Sequence, residues 1–347
     1  MDGTRYNVAL LHGAGYVGGE LIRLLLTHPA ADLQFVTSRT FAGEPLWKAH
    51  PSLRGETGLK FSSGDDSDLS GVDAVLIAAE HGQGAEQALK LFDAGFDGFV
   101  VDLSADFRFQ DASVYDRWFG FAHPAPDLLT SYIYGLPEVN APYPPDARRI
   151  ANPGCFATGI ALSLLPPARH LDTLDVVVMA MTGASGSGAR PKATTHFPTR
   201  EGNVRAYKVL THQHLPEVQQ LLGDKAKISF IPVSGPWTRG IWGTAQIALP
   251  DGVVADDVGS WYEAAYHDKP FVRLWPGELP ELRYAVHTPF CDIGWMVADG
   301  RLVIAFAMDN LLKGAASQAI HNLNLLFGLP ETTGLIARPT QPVAEII

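Results

Sequence analysis

Asn7-Val-Ala-Leu-Leu11 runs into His12-Gly13-Ala14-Gly15-Tyr16-Val17-Gly18, and Glu20-Leu-Ile-Arg-Leu-Leu-Leu26 follows at once. An apolar run cut off by glycines, then apolar residues recurring at helical spacing, predicts strand, turn and helix. In that setting G-x-G-x-x-G has a mechanism. Gly13 permits the tight turn, Gly15 lets the backbone approach a pyrophosphate, and Gly18 lets helix pack on strand. Tyr16 and Val17 open a helix whose free N–H groups and positive dipole face the phosphates. An NAD-type site also wants an acidic residue for the ribose some twenty positions on. Here the second strand ends Thr37-Ser38-Arg39-Thr40. A hydroxyl followed by a guanidinium suits a ribose 2′-phosphate, so NADP(H) is the expected cofactor.

Outward from this turn, strands are predicted over Leu33–Thr37, Asp73–Ala79 and Phe99–Leu103, with a helix over Gln83–Phe92. Strands alternating with helices predict an α/β chain with a doubly wound, Rossmann-type parallel sheet. A proline-rich stretch from Asp111 to Asp146 then ends at Arg148–Gly154, where a domain boundary is placed. Beyond it, a helix over Ala157–Leu165 precedes β-branched or alternating runs at Asp175–Thr182, Lys227–Val233, Gly240–Leu249 and Arg301–Met308. These predict an α+β catalytic domain with a mostly antiparallel sheet and helices on one face. Leu311–Phe327 is strongly helical, and Pro330 closes it.

The chain has 347 residues, 46% hydrophobic and 18% charged, with a net charge of −11. That is too apolar for disorder, and the negative charge argues against a general nucleic-acid binder or a basic membrane-surface protein. No apolar run approaches the ~18 residues that span a bilayer. Two cysteines in this length form no disulfide framework, so a reducing, cytoplasmic setting is expected.

Asn152-Pro-Gly-Cys155-Phe-Ala-Thr158 puts one of those cysteines at the start of a predicted helix, just past the boundary. A helix N-terminus and a neighbouring imidazolium both favour thiolate, so Cys155 is the candidate nucleophile, and backbone N–H groups around it are candidates for stabilising an oxyanion. Cys291 has no such setting and reads as a small buried apolar residue. The imidazole partner is sought in Tyr207-Lys-Val-Leu-Thr-His212-Gln-His214-Leu-Pro-Glu217. A lone His-x-His without a carboxylate or second cysteine at zinc spacing predicts no metal site.

Gly15-Tyr-Val-Gly-Gly-Glu-Leu21, Ser38-Arg39 with Ala42-Gly43, His50-Pro-Ser-Leu-Arg-Gly55, Asp102-Leu-Ser-Ala-Asp-Phe-Arg108, Tyr134-Gly-Leu-Pro-Glu138, Asn152-Pro-Gly-Cys155, Ser185-Gly-Ser-Gly188, His212-Gln-His-Leu-Pro-Glu217 and Asp309-Asn-Leu-Leu-Lys-Gly-Ala-Ala316 occur in this order. Taken together, nearly end to end, they resemble the N-acetyl-gamma-glutamyl-phosphate reductase family. The resemblance implies an NADPH-dependent acyl-phosphate reduction in arginine biosynthesis, with Cys155 forming a thioester and His212 as acid and base. It implies substrate contacts from Arg108, Ser104, His214, Glu217 and Ser185. Gly186 and Gly188 would form a turn near the nicotinamide, and Asn310, opening the last helix, would approach the cofactor. Residues 1–153 with 311–347 would then bind the dinucleotide, and 154–310 would carry catalysis and oligomerisation, in a dimer or tetramer.

The chain departs from the family pattern at His12, where a glycine is usual, at Glu80-His81-Gly82, and at Phe156-Ala157, where tyrosine-proline is more usual. Ser38–Pro45 with His50-Pro51 is also similar to the branch that reduces an aminoadipyl phosphate held on a small acidic carrier protein. The chain's acidity favours the free acetylglutamyl substrate over a carrier. Two other readings stay open: an aspartate-semialdehyde or glyceraldehyde-phosphate type dehydrogenase, and a non-catalytic NADP sensor with an inert thiol.

Overall fold

The computed structural model describes residues 5–64 and 69–336; the last eleven positions of the expected 311–347 segment lie outside them. The first sheet contains β1 (Tyr6–Leu11), β2 (Ala31–Thr37), β3 (Phe61–Ser62), β4 (Ala74–Ile77), β5 (Phe99–Asp102), β6 (Ile133–Tyr134) and β7 (Arg149–Ala151). Their order is β3-β2-β1-β4-β5-β7-β6, and every neighbouring pair is parallel. Side chains alternate across a strand, so Val8 and Leu10 of β1 enter one core while Ala9 and Leu11 enter the core on the opposite face. Helices α1 (Tyr16–Leu26), α2 (Gly84–Asp93), α3 (Ser113–Phe119) and α4 (Pro137–Asn140) belong to this half of the chain. The strand order reverses between β1 and β4, which puts a binding crevice at the carboxyl end of β1, beside the glycine turn.

The second sheet contains β8 (Leu174–Thr182), β9 (Arg205–Ala206), β10 (Ala226–Ser234), β11 (Ile241–Ala248), β12 (Val272–Pro276), β13 (Cys291–Ala298) and β14 (Arg301–Met308), in the order β12-β13-β14-β11-β8-β10-β9. β8–β10 and β12–β13 are parallel and the other four pairs antiparallel, so the sheet is mixed but mostly antiparallel, as expected. Helices α5 (Cys155–His170), α7 (Leu215–Leu222) and α8 (Ala255–Tyr266) contribute to the core on one face, and short helices α6 (Phe197–Arg200) and α9 (Leu282–Ala285) stand in connections. The other face leaves Val177, Met179 and Met296 exposed.

Two differences from the sequence expectation have tertiary causes. β13 breaks the apolar pattern with Asp292, but that carboxylate is fully buried against Arg273 of β12, which donates from Nε at 2.5 Å and from a terminal nitrogen at 2.7 Å. The charge is neutralised across strands, which no local pattern reveals. The expected helix over Ala157–Leu165 runs on to His170 through Pro166 and Pro167. Each proline lacks the N–H that would reach back four residues, and so orphans the carbonyls of Leu162 and Ser163. Tyr266 Oη donates to Leu162 O and Tyr262 Oη to Ser163 O, both at 2.6 Å.

Helix α10 (Ala316–Leu326) returns to the first sheet, where Ile320 and Leu323 join the core that holds α1. It starts five residues later than the sequence predicts. Asp309 Oδ1 accepts the N–H groups of Leu311 and Leu312 at 2.8 and 3.0 Å and winds the chain into a turn first. Asn310 therefore stands in that turn and does not open the helix.

The tyrosine–proline pairing makes a testable prediction. Tyr262→Phe leaves a buried carbonyl unpaired and is expected to lower unfolding free energy by about 1–3 kcal/mol. In a Pro167→Ala background the alanine N–H satisfies Ser163 O, so the same change is expected to cost much less; equal costs in urea unfolding would contradict the pairing.

Candidate functional site

The glycine turn is shaped by contacts on two of its three glycines. A Cβ on Gly13 would stand 2.2 Å from a Val36 methyl, and one on Gly18 would stand 2.2 Å from Gly13 O. A Cβ on Gly15 would meet no described residue within 4 Å other than its chain neighbours, so the turn is open there. Gly15 is the N-cap of α1 and no side chain caps this helix, leaving its first N–H groups free for an anion. His12, the departure from the family pattern, adopts a left-handed φ of 61°, with its N–H donated to Thr37 Oγ1 at 3.0 Å. His50, to which no role was assigned from sequence, braces the turn from outside by bonding Gly13 O through Nε2 at 2.7 Å. Arg39 is exposed and makes no ion pair among the described residues, while Ser38 is buried and accepts the Phe41 N–H at 3.3 Å.

Cys155 is the first residue of α5, and Gly154 is its N-cap. A Cβ on Gly154 would lie 2.5 Å from His214 Nε2 and 2.8 Å from an Arg108 terminal nitrogen, so only glycine fits immediately before the cysteine. The Gly154 N–H donates to Glu217 Oε2 at 2.9 Å, and Tyr134 Oη donates to the same oxygen at 2.9 Å. Glu217 Oε1 accepts from Arg108 at 2.8 Å. Arg108 also donates to Asn152 O at 2.8 Å and Leu103 O at 3.0 Å, so this buried guanidinium is engaged on three sides within the protein. One backbone N–H beside Cys155, that of Gly154, is thereby committed to Glu217.

His212 and His214 flank the start of α7, with ring centroids 4.7 Å apart. Both rings stand edge-on to Phe156, the residue after the cysteine, at 5.4 and 6.1 Å. The phenyl ring that replaces the usual tyrosine thus seats the histidines against the start of α5. His212 Nδ1 accepts the His214 N–H at 3.2 Å, which leaves the ring's own proton on Nε2. Burial, reinforced by His214, pulls His212 down to about 2, and burial holds His214 well below the ordinary imidazole range. Burial also pushes the Cys155 thiol up to about 11, outweighing the Phe156 N–H and Arg108, which act the other way. Burial thus works against charge on this sulfur and on both imidazoles, opposing the thiolate that the helix start favours.

On the opposite side of the cysteine, a Cβ on Gly314 would stand 2.7 Å from Cys155 Cβ and 2.6 Å from Asn310 O. Asn310 Nδ2 donates to Ser185 Oγ at 3.0 Å, and its Oδ1 accepts the Gly240 N–H at 2.7 Å. Gly186 lies inside the short turn that Ser185 shares, and Gly188 ends that turn at a left-handed φ of 80°. Ser104 is not joined to this group. Its hydroxyl donates to Asp102 at 2.6 Å and accepts the Asp106 N–H at 3.1 Å, while Asp106 receives the Gly82 and Ala85 N–H groups at the start of α2. Cys291 is fully buried. Gly154, Gly314, Tyr134 and Asn152 stand in motifs visible in the sequence, but their roles depend on which distant residues come close.

Comparison with known proteins bears on this geometry. Residues 7–143 match the family model described as semialdehyde dehydrogenase, NAD binding domain, and residues 155–310 match semialdehyde dehydrogenase, dimerisation domain. The N-acetyl-gamma-glutamyl-phosphate reductase of Methanosphaera stadtmanae is 40% identical over 96% of this chain and 98% of its own length. That of Nitrosomonas europaea is 39% identical over 97% and 99%. In fold, the chain is similar to aspartate semialdehyde dehydrogenase II of Vibrio cholerae, with a TM-score of 0.71 at 17% identity, covering 94% of this chain and 99% of that one. It is similar also to the Candida albicans aspartate semialdehyde dehydrogenase solved with NADP, with a TM-score of 0.69 at 14% identity, covering 93% and 99%. Near-complete coverage at this identity, on a fold that gathers Cys155, Glu217 and the two histidines, means that the chain belongs to the N-acetyl-gamma-glutamyl-phosphate reductase family of semialdehyde dehydrogenases.

Proposed function

We propose that this chain reduces N-acetyl-gamma-glutamyl phosphate to N-acetylglutamate semialdehyde and phosphate with NADPH, through a thioester on Cys155. The observation that carries the reading is the placement of Cys155 at the first position of α5, with its N-cap held by Glu217 and both histidines packed on the residue that follows it.

The residues present fit the cofactor. Gly15 leaves open space at the uncapped start of α1, and Arg39 offers a guanidinium without an ion pair among the described residues. Gly13, Gly15, Tyr16, Val17 and Gly18 would hold the pyrophosphate and Ser38 with Arg39 the 2′-phosphate, while Gly186, Gly188 and Asn310 would border the nicotinamide. When bound, NADPH supplies the hydride that reduces the acyl carbon.

The chain's own groups do the rest. As Cys155 Sγ bonds to the acyl carbon and the bond to phosphate breaks, His212 takes the thiol proton and the departing phosphate takes a proton from solvent. His212 returns its proton to sulfur when the C–S bond breaks and the aldehyde leaves. To accept at Nε2 the ring shifts its own proton to Nδ1 and gives up the 3.2 Å contact with the His214 N–H. First-turn N–H groups of α5 other than that of Gly154 stabilise the oxyanion. Arg108, Ser104, His214, Glu217 and Ser185 are assigned to the substrate side. Arg108 and Glu217 act there by holding each other and Gly154 in place.

Residues 1–153 with 311–347 are read as the nucleotide unit and 154–310 as the catalytic unit, a division supported by the two sheets and the two family matches. The chain is a homo-oligomer; we read it as a dimer or tetramer in which the sheet face exposing Val177, Met179 and Met296 is covered by a second copy. The carrier-protein alternative gains nothing from the relatives, which carry the acetylglutamyl name. No described helix is long and apolar enough to cross a membrane, in keeping with a cytoplasmic biosynthetic role.

Phosphate-dependent reduction of NADP by N-acetylglutamate semialdehyde tests the reaction. Cys155→Ser and His212→Ala are each expected to lower kcat by about 10²–10⁴-fold, and Arg39→Ala to weaken NADPH far more than NADH. An active serine variant, or no turnover by wild type, would contradict the assignment. The glycine turn is tested separately. Gly18→Ala forces a methyl onto Gly13 O and is expected to destabilise the fold by about 1–3 kcal/mol. Gly15→Ala is expected to change stability by less than about 0.5 kcal/mol while weakening NADPH in a fluorescence titration; unchanged affinity would place the pyrophosphate elsewhere.

A further inference from the structure

Glu20 and Asp309 belong to two of the recurring motifs, Gly15–Leu21 and Asp309–Ala316, yet neither has a part in the chemistry above. Arg239, just before β11, joins them. Its Nε donates to Asp309 Oδ2 at 2.6 Å and one terminal nitrogen donates to Glu20 Oε1 at 2.5 Å. Glu20 lies on the helix that starts at the glycine turn. Asp309 is fully buried, and its other oxygen winds the turn that presents Asn310 and Gly314. The backbone at Arg239 completes the connection. A Cβ on Gly183 would stand 2.5 Å from Arg239 N, and Ser185 N–H donates to Thr238 O at 2.9 Å, as Gly183 N–H does to Gly240 O. One residue thus touches the nucleotide helix, the Asp309 turn and the strand that runs beside Ser185. Arg108 makes a separate ion pair with Glu217 in the cluster at Gly154.

We propose that Arg239 is a positioning residue that sets the register between helix α1 and the Ser185–Asn310–Gly314 wall against Cys155, and so between a cofactor held at α1 and the sulfur. The inference rests on the reading that NADPH binds at α1. The physical case is one of geometry. A planar guanidinium can bridge two carboxylates in fixed directions, which an ammonium cannot. Both acceptors are largely shielded, with Asp309 inaccessible to solvent, so the bridge is stiffer than a surface ion pair. Hydride transfer depends steeply on distance, and a misplacement near 1 Å costs on the order of 10²-fold in rate.

The test compares wild type, Arg239→Met, Arg239→Lys, Glu20→Gln and the Glu20→Gln/Arg239→Met double variant. Arg239→Met is expected to lower kcat by about 10²-fold, with the dissociation constant for NADPH, by fluorescence titration, moving less than about threefold because the phosphate contacts are intact. Iodoacetamide should alkylate Cys155 at the wild-type rate without cofactor, while protection by NADPH weakens. Arg239→Lys should recover only part of the rate, and the double variant should be no slower than Arg239→Met. A wild-type kcat in Arg239→Met would overturn the proposal. So would a parallel loss of kcat, NADPH affinity, alkylation rate and melting temperature, which marks general disorder, or additive effects in the double variant. If Arg239→Met does not fold, Glu20→Gln, which keeps the Asp309 half of the bridge, decides by the same split. A wild type that fails to reduce NADP defeats the functional reading itself, whereas an active wild type matched by its variants defeats only the role of Arg239.

Discussion

The Glu217 carboxylate, fully buried, holds the Arg108 guanidinium, the Tyr134 hydroxyl and the Gly154 N–H at 2.8 to 2.9 Å. Taking such charges out of water costs several kcal/mol per ion, and their attraction offsets this only when the remaining hydrogen-bonding positions are filled. The arrangement is therefore all-or-none. It ties the first turn of α7 to the first turn of α5 and both to the end of β5, three segments remote in sequence. Because His212 and His214 immediately precede α7, the carboxylate that holds the cysteine helix also sets the imidazoles. The proposed nucleophile and the proposed proton acceptor are thus anchored through one carboxylate.

That rigidity has an electrostatic consequence. A helix N-terminus is worth on the order of 1 kcal/mol to a thiolate, whereas full burial shifts an acid by several times as much. Around Cys155 burial acts against the helix end, pushing the thiol up and the His212 imidazole down. In the proposed reaction, charge develops as the thiol proton moves to His212 during attack. Preorganised N–H groups at the start of α5 then act on charge that develops in the transition state, where they contribute to rate rather than to ground-state binding.

Much of this was legible in the chain because local physics and tertiary structure agree. The glycine turn, the parallel half and Cys155 at a helix start each follow from spacing within a dozen residues. What escaped depends on partners far away. The helix expected to stop at Leu165 runs on through Pro166 and Pro167, and it is tyrosines about a hundred residues downstream that make this possible. Asp292 disguised β13 until Arg273 of the adjacent strand neutralised it. The last helix begins only at Ala316 because the chain after Asp309 first makes a wider turn, with the Gly314 N–H reaching back to Asp309 O and the Ala316 N–H to Leu311 O. The resemblance puts Arg108 against the substrate, but its engagement with Glu217 and two carbonyls is set by residues up to 109 positions distant.

The most direct test is to mix the enzyme with N-acetyl-gamma-glutamyl phosphate in the absence of NADPH, quench in acid, and map the modified peptide by mass spectrometry. The account predicts one acetylglutamyl group in thioester linkage to Cys155 and one phosphate released per site. An unmodified Cys155 peptide with phosphate nonetheless released, or an acyl group found on another residue, would contradict it.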